Sequence, residues 1–216
     1  MTEPGDRRPI AARNLAVMTR LAGWLIQRQA SPNAISGWGM VAGLGAGLAL
    51  AGTAWLPEAA RPLWLLGALG IQLRLLANLL DGMVAVGRGV TSSVGELWNE
   101  VPDRVSDSAV LLGLGVAAGN WGLGAAAALA AMATAYIRAM GKAAGAPSDF
   151  RGPMAKQQRM ALSTALAVWC AVVPLGWSHG IGLPAIVLWV ILAGSLLTCW
   201  RRLSGTAAAL RGRPRA

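Results

Sequence analysis

Long apolar runs separated by short polar breaks fill the chain, and the runs share one length. Six stretches are mostly apolar, at roughly 34–55, 62–83, 95–117, 121–141, 160–177 and 183–200. Each meets or approaches the ~20 residues that carry a helix across a hydrocarbon core. Together they use most of the chain and leave no room for a separate soluble domain. Before them, residues 10–29 read as a weakly amphipathic helix, with Met18, Leu21, Ala22 and Leu25 on one side and Arg13, Arg20 and Gln27 on another. Such a segment suits the headgroup layer before Pro32 turns the chain into the first span, although a solvated basic tail fits it as well. The expected fold is an all-α integral membrane protein: six transmembrane helices preceded by an amphipathic interfacial helix. Its divisions are an N-terminal segment over 1–30, a membrane domain over 31–203 and a basic tail over 204–216.

Composition agrees, with 55% hydrophobic and 13% charged residues and a mean hydropathy of +0.52. The opening "MTEPGDRRPIAARN" has no short apolar core followed by a cleavage site, so no removable signal peptide is expected. A net charge of +10 raises the question of nucleic acid, and the distribution of that charge answers it. Of 19 Lys and Arg, five precede the first span and five follow the last. Arg88 lies between spans two and three, and Lys142, Arg151, Lys156 and Arg159 lie between spans four and five; the opposite connections hold only Arg61. That is the positive-inside pattern, with both termini and two loops cytoplasmic. Basicity here is mainly topology, and no nucleic-acid partner is expected. Arg74, Arg104 and Arg138 sit inside apolar segments and need a separate explanation.

Other features are structural. Cys170 and Cys199 read as small apolar side chains within spans five and six, without a disulfide or metal. His179 stands alone in a short outer loop. Trp55, Trp64, Trp121 and Trp177 near span ends are expected as interfacial anchors. Gly39, Gly43 and Gly47 recur every fourth residue in the first span, which permits close helix packing.

The chemistry lies in "NLLDGMVAVGRGVTSSVGELWNEVPDRVSD", residues 78–107. Five of the nine acidic residues fall here: Asp81, Glu96, Glu100, Asp103 and Asp107. A carboxylate at the bilayer centre costs about 2.5–3.5 kcal/mol even on a lenient scale, so this group must face a polar cavity, a cation or the membrane surface. At about 100° per residue, Glu96, Asn99, Glu100, Asp103 and Asp107 fall within one arc of a helix. On the preceding helix Asn78 and Asp81 are neighbours, with Gly82 beside them leaving room for a ligand. Oxygen ligands converging from two helices suit a hard divalent cation, Mg²⁺ or Mn²⁺. The competing reading, carboxylates solvated at the interface, fits Glu96 and Glu100; Arg104 could neutralise Asp103 or Asp107.

The window resembles the signature of the CDP-alcohol phosphatidyltransferases, D-x2-D-G-x2-A-R, about eight residues, then G-x3-D-x3-D. Asp81, Gly82 and Ala85 match, as do Gly95 and Asp103, and the register is kept throughout. Asn78 and Asn99 stand at the first and third Asp positions and Val86 at the Arg position. "SPNAISGWG" at 31–39, "AYIRAMGKAAG" at 135–145 and "GPMAKQQRMA" at 152–161 are similar, more loosely, to other stretches of that family.

The resemblance implies a metal-dependent transferase of phospholipid biosynthesis. It would move a phosphatidyl or related phospho-alcohol group from CDP-diacylglycerol or another CDP-alcohol to an acceptor alcohol, releasing CMP. It implies a pair of divalent cations on the signature (Asn78, Asp81, Asn99, Asp103), with Asp103 as the base for the acceptor hydroxyl. Glu96 and Glu100 are candidate replacement ligands, because each Asn offers a carbonyl oxygen without charge. Arg88 is a candidate substitute for the missing signature Arg. The resemblance also places Arg138, Lys156 and Arg159 on substrate phosphate and Pro32, Asn33 and Ser36 at the nucleotide end of the pocket. It further implies a homodimer among membrane lipids, in a bacterial inner (plasma) membrane with a cytoplasmic active site. The alternative is a catalytically silent CDP-lipid-binding or scaffold subunit of the same fold.

Overall fold

The computed structural model describes residues 16–90, 94–173 and 182–212, and the side chains of Glu96 and Asn99 lie outside that description. Among the described residues there are seven α-helices and no strand. They are α1 (Ala16–Gln27), α2 (Pro32–Gly52), α3 (Ala60–Gly87), α4 (Gly95–Ala117), α5 (Trp121–Ala143), α6 (Lys156–Val172) and α7 (Leu183–Arg211), with one 3-10 turn at Pro57–Ala59. The six long elements start close to the six apolar runs, but α7 runs on to Arg211, past the expected run end at 200 and the expected domain edge at residue 203. α2, the stretch from Pro57 through α3, α5 and α7 are long and apolar enough to cross a membrane. The chain is an integral membrane protein.

Local chemistry sets the ends. Pro32 occupies the first turn of α2, where its missing N–H costs nothing; Ser31 before it makes no side-chain cap. Asn120 caps α5 by accepting from the Leu123 amide at 3.0 Å. Gly89, with φ of +61°, closes α3 in the left-handed conformation that favours glycine after a helix.

α2 packs against both α3 and α4, α5 against α4 and α7, α6 against α3, and α1 against α3. The Gly39, Gly43 and Gly47 stripe makes this closeness possible. A Cβ on Gly39 would sit 2.7 Å from Ala77 Cβ, and one on Gly43 or Gly47 would overlap Ser106 or the Ala109 carbonyl. Gly113 of α4 meets the Gly47 backbone in the same way. Leu50, Trp64, Ile71, Leu111, Leu114, Leu188 and Ile191 fill the core. Large apolar side chains such as Trp38, Leu48, Leu66, Trp189 and Trp200 cover the outside, as a lipid solvent allows. Trp55 and Trp121 are exposed at helix ends, whereas Trp64 is wholly buried and belongs to the core rather than to an interfacial belt. Trp177 and His179 lie outside the described residues.

Candidate functional site

Four helices deliver polar side chains to one buried place. α3 contributes Arg74, Asn78 and Asp81, spaced to share a face; α4 contributes Asp103 and Asp107, one turn apart. α2 adds Ser36, and the start of α6 adds Lys156 and Arg159. Arg74, Asp81, Asp103, Asp107 and Arg159 are all buried.

The contacts form a closed ionic network. Arg74 Nη2 lies 2.5 Å from Asp103 Oδ1 and 3.0 Å from Asp107 Oδ1, and it also reaches the Asp103 backbone carbonyl at 3.3 Å. Asn78 Nδ2 donates to Asp103 Oδ1 at 3.1 Å. Lys156 Nζ pairs with Asp103 Oδ2 and donates to Asn78 Oδ1 at 3.0 Å. Arg159 donates to the Met154 carbonyl at 2.8 Å and approaches Asp107 Oδ2 at 3.4 Å. Asp81 faces neutral donors instead: its Oδ2 is 2.6 Å from Ser36 Oγ, and its Oδ1 accepts from the Gly82 amide at 2.5 Å. Ser36, Arg74, Asn78, Asp81 and Asp103 line one cavity of about 10 Å³, room for about one water.

A second ionic group lies beside the first. Glu100 is held between Arg104 at 2.8 Å and Arg138 at 2.6 Å. Arg138 also stacks over Phe150, 5.3 Å from its ring centre. Arg104 therefore pairs with Glu100, and Arg74 takes the neutralising part that the sequence suggests for Arg104. Arg88 donates to the Gln29 and Ala30 carbonyls at 3.1 and 2.7 Å, tying the end of α3 to the α1–α2 link. Phe150 faces a wide cleft of about 530 Å³, lined also by Pro147, Asp149, Arg151, Gly205 and Thr206. There a hydrogen bond from Arg151 holds the Asp149 carboxyl below its ordinary range.

The structure thus brings together Ser36, Asn78, Asp81, Asp103, Lys156 and Arg159. Gly82 and Ala85 follow on α3, Pro32 and Asn33 begin α2, and Gly95 begins α4. Arg138 and Glu100 form their own pair, and Arg88 is engaged away from the carboxylates. Glu96 and Asn99 are on α4, and their side chains fall outside the described residues. Sequence reasoning missed Arg74 as a member, and it placed Asp107 on the polar arc of α4 without naming it as a site residue. The available signal was an arginine in an apolar helix, one turn before Asn78 and on its face.

Among the described residues no three His, Cys, Asp or Glu side chains converge as a metal cage. The oxygens present are the Asp81 and Asp103 carboxylates and the Asn78 carboxamide. Those are hard donors, of the kind that suit Mg²⁺ or Mn²⁺ completed by water and substrate phosphate.

No family model matches the chain. It is 27% identical over 199 residues to the phosphatidylinositol phosphate synthase of Streptomyces avermitilis, covering 86% of this chain and 76% of that protein. It is 28% identical over 190 residues to the phosphatidylinositol phosphate synthase of Mycobacteroides abscessus, covering 85% of this chain and 80% of that protein. In fold it is similar to the Mycobacterium tuberculosis phosphatidylinositol phosphate synthase with CDP-DAG bound, with a TM-score of 0.74, 21% identity and coverage of 94% and 100% of the two chains. Its likeness to the same enzyme in complex with manganese and citrate has a TM-score of 0.75, at 22% identity over 92% and 93% of the chains. With Asp81, Gly82, Ala85, Gly95 and Asp103 in register, the chain is thus similar in sequence to phosphatidylinositol phosphate synthases and in fold to the Mycobacterium tuberculosis enzyme.

Proposed function

We propose that the protein is a membrane phosphotransferase that moves a phosphatidyl group from CDP-diacylglycerol to an alcohol and releases CMP. The observation that carries this reading is the meeting of Asp81 and Asp103 at one cavity beside Lys156 and Arg74. A divalent cation on Asp81 and the Asn78 carboxamide oxygen, next to Asp103, would neutralise charge on the donor diphosphate.

This chain's own residues position and deprotonate. A carboxylate has about four accepting sites, two on each oxygen. On Asp103, Oδ1 accepts from Arg74 and Asn78, and Oδ2 meets Lys156. The remaining site on Oδ2 takes the proton of the acceptor hydroxyl. The acceptor oxygen then bonds to the phosphorus bearing diacylglycerol, the bond from that phosphorus to the CMP oxygen breaks, and CMP leaves. Arg159 and Arg138 supply further positive charge for substrate phosphate. Pro32, Asn33 and Ser36 stand where the nucleotide end would enter. Gly82, Ala85 and Gly95 keep their signature places, Asn99 stands at the third Asp position, and Glu96 is a candidate replacement ligand.

The finer arrangement is part of the proposal. α2 through α7 make six spans, with α1 lying in the headgroup layer and residues 31–203 as the membrane domain. Termini and site face the cytoplasm of a bacterial inner membrane, and two copies pair. The test is CMP release from CDP-diacylglycerol by purified protein in nanodiscs, with a pool of alcohols that includes inositol phosphate. Alcohol-dependent release supports the transferase. Binding of the donor with no release for any alcohol supports the silent subunit instead, a reading that rests on Asn78 and Asn99.

A further inference from the structure

The resemblance implies two divalent cations on four aspartates, but this chain has replaced two of those aspartates with Asn78 and Asn99. Among the described side chains at the network, Asp81, Asp103 and Asp107 carry the negative charge, and Arg74, Lys156 and Arg159 carry an equal positive charge. Lys156 is the telling member. Its ammonium stands between Asn78 Oδ1 and Asp103 Oδ2, on two oxygens that the signature assigns to metal, and its side chain is only 17% exposed. An ammonium has three donors. Two are used here, and one remains for an anion.

We propose that the site takes one divalent cation and that Lys156 permanently fills the place of the second. This rests on the transferase reading above, because the charge then closes on the donor. A diphosphate joined at both ends carries two negative charges, which one dication balances in a network whose described side chains are otherwise neutral. A second dication would leave two positive charges in excess, in a region where uncompensated charge is costly. Lys156 keeps its contact with Asp103, and its third N–H points the fixed charge at the diphosphate.

The test counts Mn²⁺ by the loss of its free electron-spin-resonance signal. Protein would be in phosphatidylcholine nanodiscs containing CDP-diacylglycerol, with protein-free discs of the same lipid as the blank. The wild-type chain should take up one Mn²⁺ per chain. Lys156→Arg, which keeps the charge, should also take up one. The double variant Asn78→Asp/Lys156→Met, which restores a carboxylate and removes the resident cation, should take up two. Two Mn²⁺ on the wild type, none at all, or an unchanged count in a folded double variant would each overturn the inference. The count does not depend on turnover. One Mn²⁺ with no CMP release would sink the transferase reading and leave the single cation standing; CMP release with two would do the reverse.

Discussion

Arg74 on α3 and Asp103 on α4 form a buried ion pair, 2.5 Å from Nη2 to Oδ1, and the same Nη2 reaches Asp107 at 3.0 Å. One guanidinium therefore holds two carboxylates that lie a helical turn apart. It fixes the rotation of α4 against α3 and aims Asp103 at the cavity. An arginine within an apolar span is expensive, and here its cost is offset by two acidic partners.

Arg74→Met should therefore be among the most damaging single changes. Removing one partner of a buried pair costs about 3–5 kcal/mol, because the other charge is left uncompensated. Denaturant or thermal unfolding in detergent should show a loss of that order. Arg74→Lys should recover part of it, since a point charge does not span both carboxylates. Wild-type stability in Arg74→Met would show that the pair carries no weight.

Glu100 should behave differently from Asp81. Arg104 and Arg138 hold it, and its side chain is 41% exposed, so solvent screens much of the interaction. Glu100→Gln should leave Mn²⁺ affinity within about twofold, with a stability change of about 1 kcal/mol or less. Asp81→Asn should lower metal-dependent CMP release by at least about 100-fold. Comparable effects from the two substitutions would make Glu100 a ligand after all.

The helix stripe gives a prediction independent of chemistry. Gly47→Ala would place a methyl group on the Ala109 carbonyl, backbone against backbone. Overpacking of that kind costs about 1–3 kcal/mol. Gly45→Ala, on the same helix with open space around it, should be neutral or slightly stabilising. Equal effects at the two positions in a thermal unfolding experiment would contradict the packing described for α2 against α4.

Metal removal is the simplest chemical check. Chelation with EDTA should abolish CMP release, and Mg²⁺ or Mn²⁺ should restore it, because no fixed cation replaces the last dication on the diphosphate. Release that persists after chelation would mean that Arg74, Lys156 and Arg159 suffice alone.

The division between what the sequence revealed and what it did not has a physical cause. Asp81 and Asp103 stood out because carboxylates are rare and costly in an oily chain, and the spacing of each from its polar neighbours on its own helix, Asn78 on α3 and Asn99 and Asp107 on α4, is a local property. The long helices followed from run length, though not the far end of α7, and the Gly39, Gly43 and Gly47 stripe from its period. Partners across helices are another matter. Whether Arg74 or Arg104 meets Asp103 depends on how two helices are rotated against each other, which no single-helix pattern encodes. Trp64 shows the same limit. In a membrane both the core and the lipid-facing sides are apolar, so an apolar residue near a span end gives no sign of which way it faces.

Mass spectrometry of the lipid product decides whether the chain is a transferase. Wild-type protein and Asp103→Asn would be incubated in nanodiscs with CDP-diacylglycerol, Mn²⁺ and a pool of alcohols, and CMP would be quantified alongside. Wild-type protein should form a new phosphodiester lipid one-for-one with CMP, and Asp103→Asn should lower its yield by at least about 100-fold. A wild-type protein that binds the donor yet forms neither product nor CMP with any alcohol would contradict the transferase reading.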